Sequence, residues 1–518
     1  MIRYLKPFPS SIRKNFILST LAMTLALPLD AVAAPQPNVI VILADDMGAG
    51  DVRALNPDSA IPTPNLDRLS REGLAFTDAH SGSAVCTPTR YGLVTGRYCR
   101  RSSLKNGVLN GYSEHLIEPD RFTIADLFKA KGYATACFGK WHLGMDLPLQ
   151  DKDKLDLGGT VENGPLANGF DRFYGIAASL DFPPYVFIRD DKIDATAVKK
   201  TPGRMFPDYL RAGETGTNFK HENVQDQLLA ETVGFIREQA QAKNPFFIYL
   251  PLPSPHKPVL PAERFQGTSG VGPYGDYVIQ TDWTVGEVMK AVRDCGIDDD
   301  TMIVYTSDNG SFMFLLDAPE CPNKLPADSG NPKNGSDHKT DPTIQGFNAA
   351  SHRPNLNFRG TKADIYEGGH RVPFLVRFPG AVEGGRRVST TVSLVDILAT
   401  CADLLGAEVP QGAAEDSFSF LPLLAGEGPY ERAPVIAHSV NGSFALYSKQ
   451  WKFIATKGSG GRTMPRSMPF EKPYQLYDRS NDVEERNNVI DAHPELVQQF
   501  EKELMVVVGD SLQQPSSK

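Results

Sequence analysis

A cysteine, a proline and an arginine spaced two residues apart form the most informative group of side chains in the sequence. Cys86-Thr87-Pro88-Thr89-Arg90 is followed by Tyr91-Gly92-Leu93-Val94-Thr95-Gly96-Arg97, and the segment is typical of a helix start. The first turn of a helix has unpaired N–H groups and partial positive charge, so it attracts anions. Arg90, one turn further on, would present a planar guanidinium to the same oxyanion. The pattern favours chemistry on an anion, whereas a lone cysteine would indicate a buried or disulfide-bonded residue.

Hard oxygen ligands follow two of the predicted strands. They are Asp45 and Asp46 after strand 38–44, and Asp308 and Asn309 after strand 301–306. Ligands of open parallel sheets lie beyond the carboxyl ends of the strands, so these side chains are expected to meet. Three carboxylates and one amide suit Ca²⁺, with Mg²⁺ as the second choice because it demands stricter geometry. One Asp-Asp pair alone would indicate a helix cap, and Asn309-Gly310-Ser311 also matches a glycosylation acceptor, which a metal site would exclude.

Basic and imidazole side chains follow other predicted strands. Lys140 and His142 come after strand 133–139, His256 comes after strand 246–252 between two prolines, and Lys362 precedes strand 373–378. Lys140 and His142, two residues apart in an extended segment, would point to the same side of a pocket. Taken singly, each is typical of a surface residue, and His256 is equally explained as a structural loop histidine. Their shared position at strand ends favours one polar pocket.

Short apolar runs alternate with helical patterns along most of the chain, which predicts a mainly parallel sheet covered by helices. Helix candidates at 63–69, 122–131 and 224–242 separate the strand candidates. After about residue 425 short strands at 445–454 and 474–478 precede a closing helix at 494–508. We therefore predict an α/β fold: residues 35–424 form a catalytic domain with a large mixed, mainly parallel sheet between helices, and residues 425–518 form a smaller antiparallel sheet with one helix.

The first 34 residues are typical of a signal peptide. Basic residues precede an apolar run from Phe16 to Leu29, and Ala31-Val32-Ala33 offers a cleavage site of small residues. This run is short for a bilayer span, and no later stretch reaches spanning length. The sequence predicts an exported protein, periplasmic or secreted, with no membrane span.

Composition excludes some partners. The 518-residue chain carries a net charge of −9, which argues against nucleic acid as a partner because that requires a basic surface. An anionic substrate remains compatible, since a basic pocket can lie within an acidic protein. The six cysteines are too few for a disulfide scaffold. If Cys86 is modified, five remain, so at least one has no partner within the chain.

The motifs, taken in order, resemble those of the sulfatase family across nearly the whole mature chain. They are Ala44–Gly48, Cys86–Arg97, Gly139–Gly144, Pro255–Pro258, Ser307–Gly310 and Arg359–Lys362, with Tyr366–Gly369 and Leu476–Asp478 as further matches. Each is weak alone, but the ordered set is specific. The resemblance implies an α/β domain of the alkaline phosphatase type with a smaller C-terminal sheet domain.

The resemblance also implies hydrolysis of a sulfate monoester, either a sulfated carbohydrate or an aryl sulfate. In that family a formylglycine-generating enzyme oxidises the cysteine to formylglycine (3-oxoalanine), whose hydrate attacks sulfur. A divalent metal on Asp45, Asp46, Asp308, Asn309 and residue 86 would polarise the sulfate. Lys140, Lys362 and Arg90 would offset charge on the sulfuryl oxygens. His256, helped by Lys362, would protonate the leaving alcohol, and His142 would take the proton from the second hydroxyl.

Substrate-contacting residues carry a weaker signal. Ser179, ahead of Asp181, matches a sulfate-contacting or histidine-supporting serine of the family, and Asp181 and His221 are further candidates. Tyr185 and His352 are also candidates, but the pattern favours surface loop residues for Asp181, Tyr185, His221 and His352. Tyr91 stands where the family often has a small residue, so the packing there is expected to differ. The polar segment 311–356 is expected to overhang the pocket and help to select the alcohol.

Two other functions remain open at this stage. A phosphonate or phosphodiester hydrolase of the same superfamily could use the same metal and nucleophile. A protein that binds sulfated glycans without turnover would follow if Cys86 stays a thiol.

Overall fold

The computed structural model describes residues 36–204, 209–315, 346–426 and 430–512. The strands are β1 Asn38–Asp45, β2 Leu74–Phe76, β3 Ala79–His80, β4 Ala134–Lys140, β5 Leu149–Asp151, β6 Lys154–Leu155, β7 Arg172–Ile176, β8 Phe187–Arg189, β9 Lys192–Asp194, β10 Val198–Thr201, β11 Gly213–Gly216, β12 Phe246–Pro255, β13 Thr301–Ser307, β14 Phe314–Leu315, β15 Gly346–Phe347, β16 Phe374–Arg377, β17 Arg386–Val388, β18 Val392–Ser393, β19 Val435–His438, β20 Phe444–Ser448, β21 Trp451–Ile454 and β22 Gln475–Asp478. The α-helices are α1 Pro64–Arg71, α2 Cys86–Thr95, α3 Ile124–Ala130, α4 Val224–Ala242, α5 Pro273–Asp294, α6 Glu367–His370, α7 Ile397–Leu404, α8 Leu421–Ala425 and α9 Pro494–Leu512.

Strand β1 lies inside a ten-stranded sheet of order β17-β2-β16-β13-β1-β12-β4-β7-β8-β9. The strands from β13 to β7 in this order pair in parallel, and antiparallel pairs lie outside them, at β13–β16 and at β7–β8. Residues Val39 to Ala44 are fully buried, as expected for a strand covered on both faces. The predicted mixed, mainly parallel sheet is confirmed.

Helices cover both faces of this sheet. Val39, Val41 and Leu43 belong to one apolar cluster, which also includes residues of α2, α3 and α7. Ile40 and Ile42 alternate with them and belong to a second cluster, with residues of α1, α4 and α5. Because successive strand side chains point to opposite faces, one apolar run supplies two cores. Helix α4 has the predicted bounds of 224–242.

A residue of another helix caps the start of α1. Thr63 occupies the N-cap position, but its hydroxyl makes no capping hydrogen bond. The free N–H groups of Asn65 and Leu66 donate instead to the Asp282 carboxylate, at 3.0 and 2.8 Å. A carboxylate from α5 therefore caps α1 and ties the two helices together.

A second sheet near the C-terminus is antiparallel, in the order β19-β20-β21-β22. It packs with α9 around Phe453, Leu476, Phe500 and Leu504. The predicted small sheet with one helix is confirmed, while the domain limits at residues 424 and 425 stay a prediction. The predicted strand 445–454 is two strands, because Lys449 adopts φ 52° in the two-residue turn between Ser448 and Trp451.

Some predictions fall on residues beyond the described ranges. The signal peptide at 1–34 lies outside them, as does most of the segment 311–356. Within the described ranges, no helix has both the length and the apolar character needed to cross a bilayer. The five cysteines that the structure describes, Cys86, Cys99, Cys137, Cys295 and Cys401, have free thiols.

Candidate active site

The predicted catalytic side chains meet at the carboxyl edge of the parallel strands. Asp45 ends β1, Lys140 ends β4, Asp308 follows β13 and His256 follows β12. Ala44 of β1 is in register with Ser307 of β13, so the acidic residues that follow them lie side by side. The sheet therefore positions four segments that are distant in sequence.

The chain leaves β1 through a strained turn at Asp46. Asp46 adopts a left-handed φ of 65°, a conformation that costs about 1–3 kcal/mol in a residue with a side chain. Its N–H donates to Asp308 Oδ1 at 3.2 Å, and its Oδ1 accepts from Asn309 Nδ2 at 2.7 Å. The next N–H, of Met47, donates to Ser307 Oγ at 2.9 Å. These bonds hold the strained turn against the end of β13.

Cys86 is the first residue of α2 and is only 2% exposed. Its Sγ lies 3.5 Å from Asp45 Oδ1 and 3.5 Å from Lys362 Nζ. Burial raises the pKa of the thiol far above its ordinary value, despite the nearby ammonium of Lys140. An unmodified Cys86 is therefore protonated at neutral pH and is a poor nucleophile and a poor metal ligand.

The guanidinium of Arg90 is already occupied, which differs from the expectation that it faces a substrate oxyanion. Its Nε and Nη2 donate to Asp308 Oδ2 at 3.1 and 2.7 Å, and its Nη1 donates to the Lys140 carbonyl at 2.9 Å. The side chain is fully buried. Arg90 therefore holds Asp308 and the end of β4 in place, and its charge acts on the pocket from behind this carboxylate.

Two lysines pair with Asp45, the last residue of β1, and with Asp46, which follows it. Lys140 Nζ lies 2.6 Å from Asp45 Oδ2, and Lys362 Nζ lies 2.6 Å from Asp46 Oδ1. Burial opposes the charge of Lys362, but the Asp46 carboxylate outweighs it and raises the pKa of the ammonium. We call Arg90, Lys140 and Lys362 the inner cations of the pocket. Each of them has a carboxylate partner.

The residues around Asp45 fit a hard divalent cation. One potential ligand atom from each of Asp45, Asp46, Cys86 and His256 lies within 4.8 Å of the others. Asn309 Oδ1 is buried and has no hydrogen-bond partner among the described residues. Burial raises the pKa of Asp45 to about 7, although Lys140 lowers it, so this carboxylate lacks sufficient positive charge nearby. An added cation bound by oxygen ligands would meet both deficits.

The two histidines differ in their free nitrogens. His142 Nε2 donates to the Leu109 carbonyl at 2.8 Å, which leaves the buried Nδ1 with a free lone pair. Burial, Lys140 and Arg90 keep the pKa of His142 well below its usual range. His256 Nδ1 donates to the Lys257 carbonyl at 2.5 Å, and its Nε2 lies 3.5 Å from Asp46 Oδ2. Burial and Lys362 likewise lower the pKa of His256.

The substrate-contact candidates divide into two groups. Asp181 Oδ1 lies 4.0 Å from His256 Nδ1, and both this oxygen and Ser179 Oγ are buried without hydrogen-bond partners among the described residues. His221 packs against the rings of Tyr185 and Phe219.

Tyr185 and His352, in contrast, are interior residues. Tyr185 is 1% exposed and donates to the Arg211 carbonyl at 2.8 Å, and His352 Nε2 pairs with the buried Asp51 at 2.8 Å. The expectation that these two could select a substrate is not supported, because both side chains are buried and bonded inside the protein, although His352 Nδ1 has no hydrogen-bond partner among the described residues.

Sequence reasoning overlooked three basic residues around this pocket: Lys257, Arg211 and Arg462. Lys257 could have been predicted as a pocket residue from the sequence, because it directly follows His256. Arg211 binds Asp181 Oδ2 at 2.5 Å, and Arg462 lies beyond the small C-terminal sheet's β21, so only the fold reveals their position.

The site combines acidic residues at strand ends, buried cations and Cys86 at the start of α2. This combination is typical of a hydrolase of anionic esters. The family model described as sulfatase matches residues 37–407, and a second model, the C-terminal region of N-sulphoglucosamine sulphohydrolase, matches residues 361–509. The chain belongs to the sulfatase family, within the alkaline phosphatase-like superfamily, and is a sulfuric ester hydrolase.

Individual relatives agree with this assignment. N-acetylgalactosamine-6-O-sulfatase of Bacteroides thetaiotaomicron is 31% identical over 501 residues, which cover 90% of this chain and 92% of that protein. Arylsulfatase A of Bos taurus is 30% identical over 501 residues, covering 92% and 87%. A solved structure concerned with the metabolism of multiple glycosaminoglycans by Bacteroides thetaiotaomicron matches with a TM-score of 0.77 and 30% identity, covering 92% of this chain and 100% of that chain.

Proposed function

We propose that the protein is an exported sulfatase that removes sulfate from sulfated glycans, with formylglycine at position 86 and a bound Ca²⁺. The position of Cys86 carries the proposal: it lies at the start of α2, between Asp45 and Lys362, in surroundings that keep a thiol protonated. A protonated thiol is a poor nucleophile, so this position favours a converted residue. The N-acetylgalactosamine-6-O-sulfatase relative supports a sulfated amino sugar as the substrate.

Asp45, Asp46, Asp308 and Asn309 would hold the cation, together with residue 86. Calcium suits this set because it accepts about six to eight oxygen ligands with flexible geometry. When bound, the cation polarises the sulfate and favours the ionised form of the nucleophile. The aldehyde hydrate at residue 86 supplies two hydroxyl groups, one to attack sulfur and a second to release sulfate afterwards.

The surrounding side chains move the protons. His142 presents an unprotonated Nδ1, so it can accept the proton of the second hydroxyl. His256 would donate a proton from Nε2 to the leaving alcohol; a bound anionic ester beside this ring favours the protonated form that is disfavoured in the free enzyme. Lys140 and Lys362 stabilise the negative charge of the sulfuryl group.

Activity measurements combined with mass spectrometry test the proposal. Purified protein is assayed for sulfate release from 4-nitrophenyl sulfate and from N-acetylgalactosamine 6-sulfate, with an aryl phosphodiester in parallel. The expected result is sulfate release with a weaker phosphodiesterase activity, and a peptide mass that shows an aldehyde in place of the thiol at residue 86. A faster reaction on the phosphodiester would favour the phosphonate or phosphodiester alternative, and full activity with an intact thiol would refute the nucleophile.

The cation is tested by binding as well as by turnover. Chelation should lower activity, and Ca²⁺ at about one hundred times its dissociation constant should stabilise the chelated protein by about 2.7 kcal/mol. Asp308→Asn should abolish this stabilisation, which differential scanning calorimetry measures without substrate. An unchanged rate in metal-free protein would remove the cation from the proposal.

A further inference from the structure

We propose that Lys257 and Arg462 form a subsite beside the scissile sulfate that binds a second anionic group of the substrate, either a carboxylate or another sulfate. This inference rests on the proposed sulfated-glycan substrate. It adds that the substrate carries a second anionic group besides the sulfate that is removed. We call Lys257 and Arg462 the outer cations.

Lys257 lies next to the catalytic pocket but outside its ion pairs. Its carbonyl accepts the hydrogen bond from His256 Nδ1, so its backbone is fixed to the proposed general acid. Its Nζ lies 4.7 Å from the centre of the Tyr209 ring, in a cation–π contact. Within the described residues this half-buried ammonium has no carboxylate partner.

Arg462 reaches the same region from the C-terminal sheet. Its N–H donates to Asp364 Oδ1 at 2.6 Å, two residues beyond Lys362. Its guanidinium donates to the Phe312 carbonyl at 3.1 Å and lies 4.5 Å from the centre of the Phe314 ring. In the described part of the chain, no carboxylate forms an ion pair with this guanidinium.

The outer cations and Lys362 are close enough to influence one another. Burial lowers the pKa of Lys257 to about 8; Asp181 opposes this, while the charges of Lys362 and Arg462 add to it. Burial is also the main reason that the pKa of Arg462 is lowered. Asp181 near Lys257, and Asp364 and Asp46 near Arg462, offset this charge in part, but none of them forms an ion pair with these two side chains among the described residues.

A ligand anion would give the outer cations the partner that the catalytic residues do not provide. Arg90, Lys140 and Lys362 are already paired with Asp308, Asp45 and Asp46. A partly buried cation without a partner is unfavourable, and a ligand carboxylate or sulfate would remove that penalty through charge-assisted hydrogen bonds. A substrate with a single sulfate would leave the outer cations unpaired.

Kinetics on matched substrates test the subsite. The substrates are N-acetylgalactosamine 6-sulfate linked to a neutral sugar, the same unit linked to a uronic acid, and N-acetylgalactosamine carrying two sulfates. Lys257→Met and Arg462→Gln should each raise KM for one or both two-anion substrates by about tenfold, with kcat and the one-anion KM nearly unchanged. Which of the two responds identifies the second group as a carboxylate or a sulfate.

Conservative variants and matched controls separate charge from folding. Lys257→Arg and Arg462→Lys keep the charge and should retain a low KM. Lys502→Met in α9 and Arg237→Gln in α4 remove exposed charges on helix surfaces and should change no KM. An equal KM change for one-anion and two-anion substrates, or a loss confined to kcat, would overturn the subsite and assign Lys257 a part in proton transfer or packing.

Binding measurements keep the test independent of turnover. In Cys86→Ala protein, which lacks the proposed nucleophile, titration calorimetry should show tighter binding of a two-anion glycan than of its one-anion counterpart. Adding Lys257→Met should remove this difference. Failure of every sulfate ester to react would refute the proposed function, whereas equal affinity for the two glycans would refute the subsite alone.

Discussion

At residue 86 the surroundings determine what chemistry is available. Asp45 and Lys362 both lie 3.5 Å from Sγ, and burial keeps the thiol protonated. The three inner cations each have a carboxylate partner before any ligand binds, although Asp45 lacks sufficient positive charge nearby. Preorganised charges of this kind need little rearrangement during the reaction.

Cys86→Ser separates attack at sulfur from release of sulfate. A serine has one hydroxyl, so it can accept the sulfuryl group but lacks the second hydroxyl that would expel it. We expect at most one equivalent of alcohol per protein molecule and a protein heavier by one sulfuryl group, measured by rapid quench and intact mass. Cys86→Ala is the control and should give no burst. Repeated turnover by the serine variant would contradict the proposed role.

At the scale of elements, the strand ends were predictable and their surroundings were not. Asp45, Asp46, Asp308 and Asn309 follow apolar runs, and parallel strands bring their carboxyl ends to one edge, so local pattern was sufficient. The direction of the Arg90 guanidinium depends on Asp308, 218 residues away, and that distance in sequence leaves no local signal. For the same reason no local pattern marks Asp282 as the residue that caps α1.

The turn after β13 offers a test of how closely these elements must approach. A Cβ on Gly310 would lie 2.0 Å from the Gly368 carbonyl oxygen in α6, so Gly310→Ala must displace the turn that carries Asp308 and Asn309. We expect kcat/KM to fall by about a hundredfold, since a shift of about 1 Å at a catalytic group has that effect. Calcium affinity, measured by calorimetry, should fall with it.

Gly234→Ala in α4 is the matched control. Apart from the neighbouring backbone of α4, no heavy atom lies within 4 Å of the position that its Cβ would take. This substitution should stabilise the helix by about 0.5–1 kcal/mol and leave kcat/KM unchanged. Normal calcium affinity in Gly310→Ala would show that the turn can shift without harm to the site.

At the scale of the whole molecule, a buried charge network joins the small C-terminal sheet to the segment between β2 and β3 and to α6. Asp78, next to β3, pairs with Arg479, which follows β22, and with Arg371 at 3.4 Å. Nearby, Lys452 of β21 lies 3.1 Å from Glu367 Oε1 in α6. Asp78, His80 and Glu367 are close enough to hold a metal, but the neighbouring basic residues already balance their charge.

Acid should weaken this connection. Burial opposes the charge of Asp78, but Arg371 and Arg479 outweigh it, so its pKa in the folded protein lies below the unfolded value of about 3.9. Its contribution is therefore complete above about pH 4 and is lost as the pH falls below that value. Asp78→Asn should lower the free energy of unfolding at neutral pH by about 3–5 kcal/mol, because it removes the carboxylate partner of the largely buried Arg479, while Arg371 keeps Glu367 at 3.0 Å.

Urea unfolding across this pH range measures the effect. The variant should also lose less stability than the wild type on acidification, since the titrating group is gone. Asp294→Asn, at an exposed ion pair with Lys290 on α5, is the control and should change the free energy of unfolding by less than about 1 kcal/mol. Equal effects of the two substitutions would show that the buried network does not stabilise the fold.

If residue 86 is converted to formylglycine as proposed, the burial of Cys86 requires that conversion precede folding. With 2% of the residue reachable by solvent, no oxidising enzyme could enclose it once α2 has packed against the sheet. Oxidation of Cys86 would have to occur first, on an extended polypeptide. Folding would then bury the formylglycine. Protein that folds unconverted should stay inactive when the oxidising enzyme is added late, and should recover only if it is unfolded in that enzyme's presence.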